Sequence, residues 1–551
     1  MTAPSIAAVS AEHAAQRGGD PAIACEDRVV SFQELEHRSN RAAHALRAAG
    51  MVPGDRVVHL GRDSEHYYEL LLACAKAGTV LVPVDSRLTA PEVAHILADS
   101  GARLVFVERD SLAAIPGVPA PGIQNVIVFE RGSGLRDWTA GEVVADPLPT
   151  ADPEAPLIQL YTSGTTGAPK GVVLSQGSFW AVYDLLEEHA LDWLDWQPGD
   201  RSLNVLPGHH IGGPWWFLQG FRAGGLNLLA PGFTADNALE LIRREKVSTT
   251  LLVPSMIDLL LSERGATPED FSSLRKVVYG GSPMPGSLLR RALDTMGCEF
   301  AQIYGLTETC ASAVCLPPAD HDPSSPRAAA VGRPYPGVRL RVVDRAGVNV
   351  PTGQVGEVLI DTPARMAGYW GRPAATAAAL AGGWLHTGDA GHLDEDGYLF
   401  LHDRIKDVII TAGENVYPAE VENALTEHSA VAQAAVVGRP HPRWGETVQA
   451  FVVLRPGKRV TARELLAFLR DKLAGYKRPA DFEFVETLPH NAAGKVLRRV
   501  LRDSPPGSTV EAAVGSAVDP AVESAIESAP ELPDPATERH VPPQRGDGTA
   551  S

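Results

Sequence analysis

Tyr161-Thr-Ser-Gly-Thr-Thr-Gly-Ala-Pro-Lys170-Gly171 follows directly on the apolar run Leu157–Tyr161, and this junction decides how the rest of the chain is read. A strand-like run opens into a loop rich in glycine and hydroxyl groups and closed by a lysine. Glycines let backbone amides turn inward, hydroxyls add donors, and the lysine supplies a point charge, a combination suited to a polyphosphate. The candidate contacts are Thr162, Ser163, Gly164, Thr165, Thr166, Gly167 and Lys170. It is not a Walker loop, because Pro169 precedes the lysine and Gly171 follows it. A plain Ser/Thr/Gly turn is the alternative for a generic glycine-rich loop; the length of this string weighs against it.

Outward from the loop, short apolar runs alternate with amphipathic stretches. Strands are expected at 56–60, 103–107, 126–129, 157–161, 249–253, 276–279 and 300–304. Ser31 and Glu34 form a capping-box signature before a helix that Gly50 should stop, and Thr89, Pro91 and Glu92 open another that ends near Gly101. This alternation predicts an α/β fold, with a large N-terminal domain of parallel-rich sheets and flanking helices. A different texture begins near Gly397. There the run Asp403-Arg404-Ile405-Lys406-Asp407 interrupts a strand, and helix and strand patterns follow over about a hundred residues, enough for a small mobile α+β C-terminal domain. The expected division is 1–402, a hinge at 403–406, a lid at 407–502, and an acidic Pro/Ala-rich tail at 503–551. The tail has no aromatic residue and too little apolar surface to offset its ordering entropy, so disorder is expected.

The net charge is −18, and the last stretch from Asp503 holds nine acids against two arginines. The body is therefore acidic as well, which argues against a nucleic-acid or anionic-membrane surface while leaving room for a local phosphate pocket. Five scattered cysteines without a CxxC pair resemble neither a disulfide framework nor a zinc site. No signal peptide or membrane-spanning run is visible, which makes the cytoplasm the expected location and integral membrane contact unexpected.

Further strings lie where strands should end. Tyr304-Gly-Leu-Thr307-Glu308-Thr309 closes the run Phe300–Ile303, and a carboxylate beside a hydroxyl is what a magnesium ion bridging ATP phosphates requires. Gly280-Gly281-Ser282 closes the run Lys276–Tyr279, where glycine lets backbone approach a flat ring. Trp384-Leu-His-Thr387-Gly388-Asp389 ends in a carboxylate, and His490-Asn-Ala-Ala-Gly494-Lys495 ends in a lysine.

Together these strings resemble the adenylate-forming superfamily of acyl-CoA synthetases, aryl-CoA ligases, luciferases and peptide-synthetase adenylation domains, from about Ala11 to Arg502. The resemblance implies an AMP-forming carboxylic acid–CoA ligase using ATP, Mg2+ and coenzyme A. By it, Lys495 is the catalytic lysine, Glu308 the magnesium-linked acid and Thr307 a phosphate contact. Tyr304, Gly305, Gly280, Gly281 and Ser282 line the adenine pocket, Asp389 and Arg404 hold the ribose, and Lys406 is the hinge. His210, in Pro207-Gly-His209-His210, is implied as a gate between adenylate and thiol. Gly413, Trp444 and Arg478 fall on the CoA side; as bare residues, Trp444 reads as core and Arg478 as a solvated charge.

The stretch His209-His-Ile-Gly-Gly-Pro-Trp-Trp216 has no acid to hold a substrate ammonium, so an apolar acid is favoured over an amino acid. Pocket candidates are Trp215, Trp216, Met256, Gly280, Gly281, Leu306 and Ala311, with room for a bulky aromatic, alicyclic or polycyclic body. Loading of a carrier protein, luciferase-like oxidation and a non-catalytic nucleotide-binding homologue remain open alternatives.

Overall fold

The signals that start the early helices are realised at Thr89 and in half at Ser31, where the Glu34 carboxylate pairs with Arg38 instead of returning to the Ser31 amide. Ser31 Oγ accepts the Glu34 amide at 3.2 Å and begins the helix Phe32–Ala48. Glu92 Oε2 accepts both the Thr89 amide (2.8 Å) and hydroxyl (2.7 Å), closing the cap of Ala90–Ser100, which ends at Gly101 with φ 68. The computed structural model describes residues 4–115, 122–140, 152–162, 169–282, 284–411, 414–489 and 496–504. The tail beyond Ser504 lies outside the described residues, as do Ser163, Gly164, Thr165, Thr166, Gly167, Gly413 and Lys495.

Among the described residues the strands form sheets of nine, seven, four and five strands. In the nine-stranded sheet, Glu299–Tyr304, Lys276–Gly280, Thr249–Leu252, Arg201–Asn204, Leu226–Leu229 and Pro21–Cys25 run parallel in that order. In the seven-stranded sheet, Pro156–Thr162, Val80–Val84, Arg56–Leu60, Ala102–Glu108 and Asn125–Phe129 are parallel, and Lys170–Ser175 and Gly368–Tyr369 are added antiparallel at one edge. Val80–Val84 and Arg56–Leu60 are buried along their whole length, the pattern of strands covered by helices on both faces.

Of the four-stranded antiparallel sheet, Arg339–Val343 to Leu399–Arg404, only the last strand coincides with a run expected from the sequence, the one that the charged segment at 403–407 interrupts; the other three have no counterpart there. Their burial pattern is irregular: Arg339, Arg341 and Glu357 alternate with apolar residues too loosely for a clean period-two signal.

The strand Leu399–Arg404 ends in a 3-10 turn, Ile405–Asp407, that carries Lys406, and the five-stranded sheet begins at Ile409. The apolar clusters on this last sheet draw only on residues 409–501, whereas the largest cluster of the chain spans Ile6 to Leu399. The cysteines are free, and Cys310 and Cys315 are buried small residues. No helix among the described residues is long and apolar enough to cross a membrane.

Candidate functional site

The parallel strands of the nine-stranded sheet empty their C-terminal ends into one large cavity of about 1930 Å³, lined also by Asp389 and Arg404 and by residues of the small domain such as Ala419 and Arg498. That is where an open α/β sheet can bind a ligand, because loops rather than strands surround the opening. Gly280 sits where a Cβ would come within 2.6 Å of the Ile303 carbonyl oxygen, and Gly281 has φ +82, so this turn accepts only glycine without a shift. Gly305 is equally confined: a Cβ there would meet the Ala311 carbonyl oxygen at 2.5 Å. Two residues that rarely adopt positive φ, Cys310 (φ 50) and Ala311 (φ 77), follow the 3-10 turn Thr307–Thr309 and fold the backbone back so that the Ala311 amide donates to Leu306 O at 3.1 Å.

Asp389 and Arg404 are cross-strand neighbours on Leu385–Leu393 and Leu399–Arg404. Arg404 Nε lies 2.8 Å from Asp389 Oδ1, and its guanidinium also donates to Thr387 O at 3.1 Å. The Tyr304 hydroxyl donates to Asp389 Oδ2 at 2.6 Å. Burial, reinforced by the Asp389 charge, pushes the Tyr304 hydroxyl far up and keeps it a donor. Tyr304, Asp389 and Arg404 therefore form one cluster on the cavity wall although they are far apart in sequence, together with Gly280, Gly281, Ser282, Gly305 and Thr307.

Glu308 accepts a 2.7 Å hydrogen bond on Oε1 from the Tyr369 hydroxyl. Lys170 opens the strand Lys170–Ser175, opposite Thr162, so the glycine-rich loop joins two antiparallel neighbours, and its ammonium lies 5.2 Å from the Tyr369 ring centre. Nothing in the sequence flagged Tyr369.

His209 and His210 both line the cavity, with ring centres 4.5 Å apart. His209 Nε2 lies 3.3 Å from Asp85 Oδ2, and Asp63 Oδ1 accepts the Gly208 amide at 2.8 Å. Burial pushes His209 down to about 3, against the opposing pull of Asp85, and also lowers His210, so both imidazoles are neutral. Burial likewise raises the Asp63 carboxyl to about 7. The histidine stretch holds no acid of its own, yet the fold brings Asp63 and Asp85 to it from loops well over a hundred residues earlier. No local pattern in the sequence marks such an approach.

Trp215 and Trp216 do not form the pocket wall: both are buried in the largest core cluster, and neither lines the cavity, because the helix Gly212–Ala223 is buried nearly all round and both rings pack on Trp196. Leu306 also stands apart from the lining, whereas Met256, Gly280, Gly281 and Ala311 belong to it.

On the small domain, Trp444 is not core; it is 41% exposed at the turn between two long strands, stacked on His441 with Arg443 beside it. Arg478 spends two donors on the Leu473 and Arg470 carbonyls (2.9 and 3.1 Å), tying down the chain after the helix Ala462–Leu469. Neither residue lines the cavity.

Residues 10–370 match the family described as AMP-binding enzyme, and residues 420–495 its C-terminal domain. The chain is 52% identical over 492 residues to the fatty acid–[acyl-carrier-protein] ligase ScoC of Streptomyces coeruleorubidus, covering 89% of this chain and 94% of that protein. It is 38% identical to a feruloyl-CoA synthase of Amycolatopsis, covering 86% of this chain and 93% of the relative. Among solved structures, o-succinylbenzoate CoA synthetase of Bacillus subtilis in complex with its acyl-adenylate superposes with a TM-score of 0.79 at 31% identity, covering 91% of this chain and 99% of that one. The cavity at the strand ends, its confined glycines and the two matched regions agree: the chain belongs to the AMP-binding enzyme family.

Proposed function

We propose that this protein activates a carboxylic acid with ATP, releasing pyrophosphate and forming an acyl-adenylate, and then transfers the acyl group to the thiol of coenzyme A. The observation that carries the reading is the cluster of Tyr304, Asp389 and Arg404 on the wall of a cavity that Gly280 and Gly281 open to a flat ring. An ionised carboxylate held between two donors keeps lone pairs for paired ribose hydroxyls. The relatives named above all join a carboxylic acid to a thiol.

Lys170, Thr307 and the loop 162–167 then hold the phosphates, and Lys495 approaches the α-phosphate and the attacking carboxylate together. Such preorganised positive charge stabilises the charge that builds there and orients the two reactants. Magnesium fits the donor set: Glu308 offers a hard oxygen whose partner oxygen is already held by Tyr369, and such a cation commonly takes one or two protein carboxylates plus phosphate oxygens. When bound, it supplies neutralisation of the phosphate charge.

In this reading residues 1–402 form the adenylating domain and 407–502 a lid that swings about Lys406. The swing withdraws Lys495 and admits the thiol past His210, with Trp444 and Arg478 on the CoA side. One cavity thereby serves two half-reactions. The acid is apolar in this reading because Leu251, Met256, Ile303 and Ala311 share the cavity wall with Gly280 and Gly281; the lack of an acid within 209–216 does not support it, since Asp63 and Asp85 line the same cavity.

A second reading, a carrier protein as acceptor, is favoured by the 52% identity to ScoC. Coenzyme A and a carrier protein present the same phosphopantetheine thiol, so the catalytic residues are shared and only the approach surface differs. Pyrophosphate–ATP exchange across a panel of acids, followed by mass detection of thioester with CoA or with phosphopantetheinylated carrier protein, tests both. Absence of exchange with every acid would refute the reading. Thioester on the carrier alone would replace CoA as acceptor.

A further inference from the structure

Glu308 and Lys170 belong to different sheets: Glu308 follows the strand Glu299–Tyr304 of the nine-stranded sheet, and Lys170 begins the strand next to the edge of the seven-stranded one. Their separation must be set by whatever stitches the two sheets together at this point. The segment Met366–Trp370 does so. The Met366 amide donates to Glu308 O at 2.8 Å, the Ala367 amide to Val173 O at 2.9 Å, and the Trp370 amide to Gly171 O at 2.8 Å. Between them Gly368 and Tyr369 pair antiparallel with Val173 and Val172.

From this backbone Tyr369 reaches both charged groups. Its hydroxyl donates to Glu308 Oε1 at 2.7 Å, and the centre of its ring lies 5.2 Å from the Lys170 ammonium. The tyrosine itself is firmly placed. Its amide donates to Thr376 Oγ1 at 2.9 Å, and Gly368, with φ +152, has Thr376 Cγ2 only 2.8 Å from where a Cβ would stand.

We propose that Tyr369 is a positioning residue that sets the spacing between Lys170 and Glu308, and that its hydroxyl fixes Glu308 Oε1 so that Oε2 is presented to a divalent cation on the ATP phosphates. This deepens the ligase reading and rests on the roles given there to Glu308 and Lys170. A donor on one carboxylate oxygen removes rotational freedom that cation binding would otherwise have to remove. The ring face attracts the lysine ammonium and holds it near its working position before ATP arrives.

Two substitutions separate the two contacts in the full-length protein: Tyr369→Phe keeps the ring and loses the hydroxyl, while Tyr369→Leu loses both. They are read by Mg2+ titration of pyrophosphate–ATP exchange and by calorimetric binding of ATP with Mg2+ or with EDTA. For Tyr369→Phe, half-maximal exchange should need on the order of tenfold more Mg2+, as expected for one hydrogen bond to a charged group. MgATP binding should weaken by a similar factor, and metal-free ATP should bind as in the wild type. Tyr369→Leu should weaken metal-free ATP as well, by about fivefold, because the lysine loses its ring.

A Tyr369→Phe protein with the wild-type Mg2+ titration and MgATP affinity would overturn the assignment, as would equal weakening of metal-free and metal-bound ATP. Wild-type protein that exchanges no pyrophosphate with any acid is a separate result and sinks the ligase reading itself.

Discussion

The Tyr304 hydroxyl and the Asp389 carboxylate meet at 2.6 Å although 85 residues separate them in the chain. Arg404 takes the other oxygen of the same carboxylate at 2.8 Å. Removing that charge should therefore disturb both neighbours as well as any ligand. Asp389→Asn is expected to raise the KM for ATP in pyrophosphate exchange by at least about tenfold, and Tyr304→Phe by less, since it deletes one donor and leaves the acceptor ionised. Wild-type ATP dependence in Asp389→Asn would remove Asp389 from the nucleotide site.

Lys495→Ala should slow adenylation by roughly 10²–10³-fold, the usual cost of deleting one group that stabilises developing charge. Thioester formation from supplied acyl-adenylate should survive if the lid swings as proposed and takes the lysine away in that half-reaction. Measuring the two half-reactions separately decides the point; equal losses would contradict a swinging lid.

Gly280→Ala places a methyl group where the Ile303 carbonyl oxygen stands 2.6 Å away. Backbone cannot yield as a flexible side chain does, so the two strand ends must part, at a cost of about 1–3 kcal/mol. The expected result is a lower melting temperature together with a raised KM for ATP. A variant with unchanged melting and exchange would show that the turn tolerates a side chain.

Asp63 provides a pH-dependent test. Burial first, with Asp85 adding to it and the Gly208 amide and Arg87 opposing, raises its carboxyl to about 7, above the ordinary range near 4. Between those values the folded state holds a proton that the unfolded chain has released, so this group costs stability as pH rises from about 4 to about 7 and by a constant amount above that. Asp63→Asn keeps an oxygen to accept the Gly208 amide and removes the penalty. Its melting temperature should exceed wild type by about 2 °C at pH 8 and match it at pH 4. A difference independent of pH would mean that the carboxyl is not held neutral.

Much of the site was legible because its chemistry is local. A Thr-Glu pair after an apolar strand and a Gly-Gly-Ser turn each combine a strand end with residues whose shape or charge is distinctive. Both reach the cavity wall, through Thr307 and through Gly280, Gly281 and Ser282, because adjacency in sequence guarantees adjacency in space. The helix caps at Ser31 and Thr89 were readable for the same reason.

Contacts between sheets were not legible. Tyr369 lies 61 residues from Glu308, and its tie to it depends on how the segment Met366–Trp370 bridges two sheets. Asp63 and Asp85 reach the histidine stretch, which carries no acid of its own, because the ends of neighbouring parallel strands crowd one opening. Trp215 and Trp216, which end that stretch, lie in the core, since the helix that carries them is buried nearly all round and both rings pack on Trp196, about twenty residues earlier in the chain.

The class of fold, the order of its segments and the short strings at the strand ends could thus be read along the chain, because strand periodicity, caps and glycine turns act over a few residues. Only the tertiary structure decided which distant side chains share a carboxylate, what stands beside the histidines and what spaces Lys170 from Glu308. Those relations follow from the packing of whole sheets against one another, where a separation in space bears no fixed relation to a separation along the chain.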